Sequence, residues 1–230
     1  MVTTPTGDPV AMVHCNNCTS DINAWVNLLD QFAELFGVNI SRNDLYTKLF
    51  QVALKGDPDC GGLLSYNYFS GEGVTDLDEG RPVFARTTNC NFTLANFMRT
   101  HLLSALATLK IGMDILQEKE NVRIDKLLGH GGFFKTPEVG QRMLSAAVNA
   151  PVSVMETAGE GGPYGMALLV SYMINKSEGE TLPDYLDNKV FANAKSTSVM
   201  AEKEDIDGFA AFLDRYKNAL PMERKATEVL

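Results

Sequence analysis

Hydrophobic and polar positions follow two different periods along this chain. Apolar residues recur every three or four positions in four stretches, which predicts amphipathic helices over residues 22–36, 43–54, 93–119 and 205–220. Gly37 and Gly56 follow the first two stretches, as expected for residues that end helices. Residues 221–230 follow the last helix from a proline onward, and a loose tail is predicted there.

Short apolar runs between these helices predict strands. They cover residues 10–14, 63–68, 83–85, 124–128 and 152–154. Strands that alternate with helices indicate an α/β or α+β layer arrangement. The length of 230 residues suits one large domain or two small ones, and a single domain over residues 1–230 is expected.

Residues 124–174 contain the order strand, glycine-rich turn and helix twice. The first turn contains Gly129, Gly131 and Gly132, whose missing side chains allow a sharp bend and leave room for a ligand near the main chain. Thr136 and Pro137 predict the start of the next helix, with a hydroxyl at the cap and proline at the first helical position. The second turn leads into the apolar residues 166–174, for which a buried helix is predicted. The glycines of the second turn are Gly159, Gly161, Gly162 and Gly165.

A glycine turn that leads into a helix favours an anionic ligand, because exposed amides and the helix dipole meet there. The spacing is G-x-G-G, which is not the dinucleotide fingerprint, and no Gly-Lys-Ser/Thr ends the turn as in a Walker loop. A tight turn without a ligand is the alternative. The predicted helix start at Thr19 and Ser20 is a second candidate site for phosphate. The alternative is that these residues only cap the helix. Asp21 would repel phosphate unless magnesium intervened.

Composition excludes some classes of function. The formal net charge is −9, which argues against a nucleic-acid-binding surface. No apolar run reaches the 18 or so residues of a membrane span. Residues 1–9 contain neither a basic nor an apolar segment of a signal peptide, so a cytoplasmic protein is expected.

Cys15 and Cys18 form a C-x-x-C pair between a predicted strand and a predicted helix. That position suits a redox-active thiol, and Cys60, Cys90 and His14 would complete the ligands of a zinc site. Neither Cys60 nor Cys90 has a paired cysteine, however, so the pattern of two zinc knuckles is absent. Buried, reduced cysteines are the preferred interpretation, and a thiol or metal protein that uses Cys15 and Cys18 is an alternative.

Several of these motifs together resemble the C-terminal domain of the FGGY family of carbohydrate kinases, over about residues 10–220. The motifs are Gly131-Gly132-Phe133-Phe134-Lys135-Thr136-Pro137, Gln141, Pro151-Val152, Gly165-Met166-Ala167 and Asn96-Phe97-Met98-Arg99. The resemblance implies an actin-like, ribonuclease-H-like ATPase fold of the α/β class, with a mixed sheet flanked by helices. It also implies ATP and Mg²⁺ as cofactors. The residues expected to bind ATP are Gly129, Gly131, Gly132, Phe133 and Thr136 at the adenosine, and Thr19 and Ser20 at the phosphates.

The resemblance implies an enzyme that transfers the γ-phosphoryl group of ATP to a sugar hydroxyl, with a pentulose as the guessed substrate. The catalytic base is expected in an N-terminal domain that this sequence lacks. No catalytic residue and no metal ligand is therefore assigned here, and the chain alone is expected to be inactive. ATP or ADP and a sugar are the expected partners, and homodimerisation is left open. A non-enzymatic actin-like module that binds a nucleotide or another chain is a further alternative.

Overall fold

A computed structural model describes residues 2–156 and 161–230. Within these residues the helices are α1 (Ser20–Leu35), α2 (Arg42–Ala53), α3 (Leu94–Asp114), α4 (Val139–Val148), α5 (Gly161–Asn175), α6 (Leu182–Tyr185) and α7 (Lys203–Val229). The strands are β1 (Val2–Thr3), β2 (Pro9–Val10), β3 (Leu63–Tyr66), β4 (Val83–Arg86), β5 (Leu127–Gly129), β6 (Val152–Met155) and β7 (Ser196–Val199). None of the described helices combines the length and apolarity that a membrane crossing demands.

The four helices predicted from periodicity are α1, α2, α3 and α7, and the structure extends α3 by a π-helical turn, Ile115–Lys119. The predicted strand over residues 10–14 is wrong beyond Val10. There the chain forms only a two-residue ladder, in which Val2 lies opposite Val10 and Thr3 opposite Pro9.

The sheet that carries the first glycine turn is mixed, as predicted. β5 and β6 are parallel, with Leu127 opposite Val152, and β7 pairs antiparallel with β6, with Val152 opposite Val199. β3 and β4 form a separate antiparallel pair. The periodicity did not predict β7 because three of its four residues are polar and exposed, so that its pairing with β6 defines it as a strand.

Helix α3 lies at the centre of the molecule. Every residue from Asn96 to Thr108 is buried, so this helix has no solvent-facing side over more than three turns. It packs against α2, α4 and β3, and α1 and α7 contact it as well. The polar side chains of a helix enclosed in this way can find partners only inside the protein.

The polar side chains of α3 connect it to the surrounding elements. Asn96 donates to Asp57 Oδ2 at 2.9 Å and to the carbonyl of Asn91 at 2.8 Å. Ser104 donates to the carbonyl of Ser65 in β3 at 2.7 Å. The bonds to Asp57 and Ser65 link α3 to segments 39 positions away in sequence, and they help to fix which element packs on which side of the helix.

Arg99, on the same helix, forms a buried ion pair with Asp205 at the start of α7. The distance from Nη2 to Oδ1 is 2.7 Å, and Arg142 from α4 donates to the other carboxylate oxygen of Asp205. Burial alone would raise the pKa of Asp205. The hydrogen bonds and charges of Arg142 and Arg99 outweigh that effect and hold the pKa below its ordinary value. One carboxylate thereby joins three helices.

The predicted loose tail at residues 221–230 is wrong. Helix α7 continues through Pro221 to Val229, and Glu223 is fully buried. Glu223 Oε1 accepts a hydrogen bond of 2.6 Å from the amide of Arg81, and Arg224 donates to the carbonyls of Thr75 and Asp76. These long-range contacts hold the end of the helix in place, and no local pattern reveals them.

The prediction that the helix at residues 166–174 is buried is also wrong. A helix is present, but it begins at Gly161, within the predicted second glycine turn, and no residue of α5 is buried. Met173 and Ile174 are each 75% exposed. This helix contacts the segment that contains α6, where Ser171 Oγ lies 2.8 Å from the hydroxyl of Tyr185, and its first residue, Gly161, lies beside His130. Gly159, the first glycine of that turn, lies outside the described residues.

Replacement of Asp205 with Asn should destabilise the protein strongly, because two arginines, one of them fully buried, would lose their shared counter-charge. We expect the free energy of unfolding in urea to fall by about 3 kcal/mol or more. Asp207→Asn is the matched control, since that exposed side chain pairs with Lys203 one turn away and should change stability by less than about 0.5 kcal/mol. Equal effects of the two substitutions would contradict the role given to Asp205.

Glu223→Gln should stabilise the protein at neutral pH. Burial raises the pKa of this carboxyl, so the folded state disfavours the carboxylate, and its Oε2 atom makes no hydrogen bond within the described structure. Stability is lost as the pH rises from the ordinary pKa of glutamate through the raised one. We expect urea unfolding at pH 8 to show a gain of about 1 kcal/mol, and no gain at pH 4. Glu228→Gln, at an exposed position, should leave the stability unchanged at both pH values.

Candidate functional site

A cavity of about 640 Å³ opens between the first glycine turn, the start of α1 and one side of α2. This volume lies within the range of small-molecule and cofactor sites. The lining residues are Thr19, Ile22, Asn23, Asn43, Tyr46, Thr47, Phe50, Gly132, Phe133, Lys135 and Thr136. Lys135 is the charged side chain among these lining residues.

The glycine turn forms one wall of this cavity, and its backbone conformation is constrained. Gly131 has φ 98° and ψ −177°, a conformation that is essentially restricted to glycine. A short 3-10 turn, Gly132–Phe134, follows, and helix α4 begins only at Val139. The prediction that Thr136 and Pro137 start the helix is therefore wrong. Glu138, with φ 69°, takes the cap position, while Thr136 is buried against the cavity.

The two phenylalanines of the turn lie on different sides of it. Phe133 lines the cavity, with its ring centroid 6.3 Å from that of Phe50 in α2. Phe134 packs under Gly129, where an added Cβ atom would lie 2.7 Å from the ring. Phe134 therefore supports the turn from the side away from the cavity, and the cavity stays open.

The start of α1 contributes a wall with an uncapped helix end. Thr19 takes the N-cap position, but its hydroxyl makes no capping hydrogen bond. Asp21 does not face the cavity. It is buried, and its Oδ2 atom accepts a hydrogen bond of 3.0 Å from the indole of Trp25. The repulsion of phosphate that the sequence suggested for Asp21 is thereby removed.

Helix α2 contributes the wall that sequence reasoning missed. Asn43, Tyr46, Thr47 and Phe50 follow one another at helical spacing, on a side of α2 distinct from the buried Leu45 and Leu49. The helical spacing of these polar and aromatic residues is the sequence signal that could have revealed this wall of the cavity.

A hydrogen-bonded group links α2 to α1 across this wall. The hydroxyl of Tyr46 donates to Asn23 Oδ1 at 2.5 Å, and Arg42 donates to Asn27 Oδ1 at 2.6 Å and to the Tyr46 hydroxyl at 3.3 Å. These bonds join the two helical walls at the cavity.

Four of the seven residues predicted to bind a nucleotide line this one cavity: Thr19, Gly132, Phe133 and Thr136. The other three lie beside it. Ser20 is the first residue of α1, Gly129 is the last residue of β5, and Gly131 sets the backbone bend before Gly132.

The cysteines give the thiol and metal alternatives little support. Partial burial raises the pKa of Cys15, which disfavours the reactive thiolate. The side chain of Cys18 is exposed, so the interpretation as a buried cysteine is wrong for that residue. In residues 2–156 and 161–230, no group of three or more His, Cys, Asp and Glu side chains is arranged to hold a metal ion.

Comparison with known proteins agrees with this arrangement. Residues 1–174 match the model of the C-terminal domain of the FGGY family of carbohydrate kinases. The chain belongs to that family. No curated protein sequence matches it.

The solved structures of FGGY kinases show the same fold at low sequence identity. A ligand-bound xylulose kinase from Lactobacillus acidophilus is 18% identical, with a TM-score of 0.62 over 90% of this chain and 39% of its own. A gluconate kinase from the same organism is 16% identical, with a TM-score of 0.62 over 90% of this chain and 38% of its own. A Plasmodium falciparum glycerol kinase with ADP is 14% identical, with a TM-score of 0.56 over 82% of this chain and 36% of its own.

The FGGY relationship defines the fold as actin-like and ribonuclease-H-like, as the sequence predicted. The chain spans less than two fifths of the length of these solved kinases. These comparisons therefore show the family and the fold of this chain, and not the activity of a complete kinase.

Gly131→Ala should destabilise the protein while Gly132→Ala should not. An alanine at position 131 must adopt φ 98°, which costs about 1–3 kcal/mol, although the space around it is open. Gly132 also has open space, and its φ is not positive. Thermal unfolding of both variants measures the difference. Equal stability would show that the bend does not require glycine at position 131.

Proposed function

We propose that this chain is the nucleotide-binding part of an ATP-dependent carbohydrate kinase. The observation that carries the proposal is the cavity of about 640 Å³ at which the glycine turn, the uncapped start of α1 and the polar stripe of α2 meet. Membership of the FGGY family supports it, and so does the ADP named with the Plasmodium falciparum glycerol kinase.

The chemistry of the lining residues fits a nucleotide. Phe133, Phe50 and Tyr46 offer aromatic surface to the nucleoside, and Asn23 and Asn43 offer amides to its polar edges. Lys135 and the amides at the start of α1, which no side chain caps, suit phosphates. Gly129, Gly131 and Ser20 set the backbone conformation next to the residues that contact the nucleotide.

Magnesium would enter the site with the phosphates. The described residues offer no group of three metal-binding side chains. Mg²⁺ commonly keeps several waters and binds through substrate phosphates with one or two carboxylates, so the site is compatible with a metal held mainly by ATP. The residues of this chain would then bind and orient the nucleotide.

The complete enzyme would transfer the γ-phosphoryl group of ATP to a sugar hydroxyl. That reaction requires positioning of the nucleotide and a base that accepts the hydroxyl proton. We assign no catalytic residue to this chain and place the base in a further domain. The chain alone is then expected to bind nucleotide without turnover. A pentulose-like substrate is proposed, because xylulose kinases are among the solved relatives.

A non-enzymatic actin-like module would use the same cavity and would also bind a nucleotide. The two functions differ in the longer protein, where the kinase phosphorylates a sugar and the module does not. Production of ADP that depends on added xylulose, measured with the longer chain, supports the kinase; nucleotide binding without such turnover supports the module.

Calorimetric titration with Mg·ADP tests the cavity. We expect binding by the unmodified chain and a loss of at least about tenfold in affinity for Gly132→Leu, because the new side chain would extend from the cavity wall. Gly73→Leu is the matched control. It too has open space around it and no positive φ, but it lies in a surface turn away from the cavity, and its affinity should equal that of the parent.

Absence of Mg·ADP binding by the unmodified chain would contradict the proposed function. Binding that Gly132→Leu leaves unchanged would place the nucleotide elsewhere on the protein. In amide NMR spectra, the resonances of Gly132, Thr136 and Thr19 should move on addition of Mg·ADP, and those of Gly73 should not.

A further inference from the structure

The first turn of α1 has two sides with different roles. Thr19, Ile22 and Asn23 line the cavity, whereas Asp21, in the same turn, points into the protein and is 5% exposed. A small rotation of this turn would move the cavity residues and the carboxylate together. The contact that holds Asp21 therefore bears directly on the shape of the cavity.

Asp21 is held from α3. Its Oδ2 atom accepts the hydrogen bond from Trp25 Nε1 at 3.0 Å and lies 3.4 Å from Nδ1 of His101. A buried carboxylate is costly unless donors or opposite charges surround it. His101 supplies the nearest titratable nitrogen, and it does so from a helix that is itself enclosed by the core.

The imidazole of His101 is fixed by aromatic packing. Its ring centroid lies 4.5 Å from that of Phe97, 5.2 Å from that of Trp25 and 5.8 Å from that of Phe84. The ring is 1% exposed, and within the described structure neither of its nitrogens makes a hydrogen bond of normal geometry. His101 is thus a buried histidine whose Nδ1 atom faces a carboxylate.

We propose that His101 is a positioning residue for the nucleotide cavity. Its Nδ1–H group keeps Asp21 turned inward, which sets the first turn of α1 and keeps a negative charge away from the ligand phosphates. The proposal rests on the proposed nucleotide-binding function. It predicts that the loss of His101 weakens binding of anionic nucleotides much more than binding of an uncharged nucleoside, because a released Asp21 would face the cavity as an anion.

Two substitutions of His101 separate this role from simple packing. His101→Phe keeps an aromatic ring and removes both nitrogens. His101→Asn loses the ring but keeps an N–H donor close to the position of Nδ1. A packing role would make Phe the better replacement, and a positioning role makes Asn the better one. Thermal unfolding of each variant establishes that it is folded.

Calorimetry with Mg·ADP and with adenosine is the test. For His101→Phe we expect the affinity for Mg·ADP to fall by about tenfold, because the buried carboxylate of Asp21 loses the polar nitrogen that faces it, with less than about threefold loss for adenosine. His101→Asn should stay within about threefold of the parent for both. The double variant His101→Phe with Asp21→Asn should regain affinity for Mg·ADP, because no anion remains to face the phosphates.

The proposal is overturned if His101→Phe binds Mg·ADP as the parent does, if it loses adenosine equally, or if His101→Asn is the weaker variant. A parent that binds neither ligand contradicts the proposed function, and the indole N–H resonance of Trp25, the one tryptophan of the chain, then decides the positioning role. This resonance should keep the parent position in His101→Asn and shift in His101→Phe towards that of Asp21→Asn. The same position in all variants would rule the role out.

Discussion

Complete enclosure of α3 is the constraint on which the structure depends. A helix with no solvent-facing side cannot leave a polar side chain to water, so the partners of its polar groups come from inside the protein. Asn96, Arg99, His101 and Ser104 point in different directions and meet a loop, α7, α1 and β3 respectively. Apolar packing alone would tolerate several arrangements of these elements, and the polar contacts select one.

The same constraint connects the core to the cavity. The first turn of α1 is anchored on one side by Asp21, against Trp25 and His101, and exposes Thr19 and Asn23 on the other. The glycine turn is supported in a similar way, because Phe134 packs under Gly129 while Phe133 faces the cavity. Both walls are thus held by residues that a ligand would not touch.

The sequence predictions succeeded where the interactions are local and failed where they join distant parts of the chain. The glycine turn was located because the missing Cβ atoms and the bend at Gly131 are local properties. The wall formed by α2 was missed because one amphipathic face of that helix, with Leu45 and Leu49, already accounted for its apolar pattern. Asp21 was expected near phosphate because its position at a helix start was visible, whereas its partner His101 is 80 positions away.

The amino-acid sequence by itself determined the long helices, the glycine bend and the family, because periodicity, side-chain volume and local motifs are written in consecutive residues. Tertiary structure alone decided that α5 stays exposed although it is apolar, that α7 continues past Pro221, and that the polar residues of β7 form a strand. Each of these outcomes depends on whether a partner surface lies opposite. For α7 and β7 that partner comes from a distant part of the chain, and for α5 the described partners leave every residue at least partly exposed.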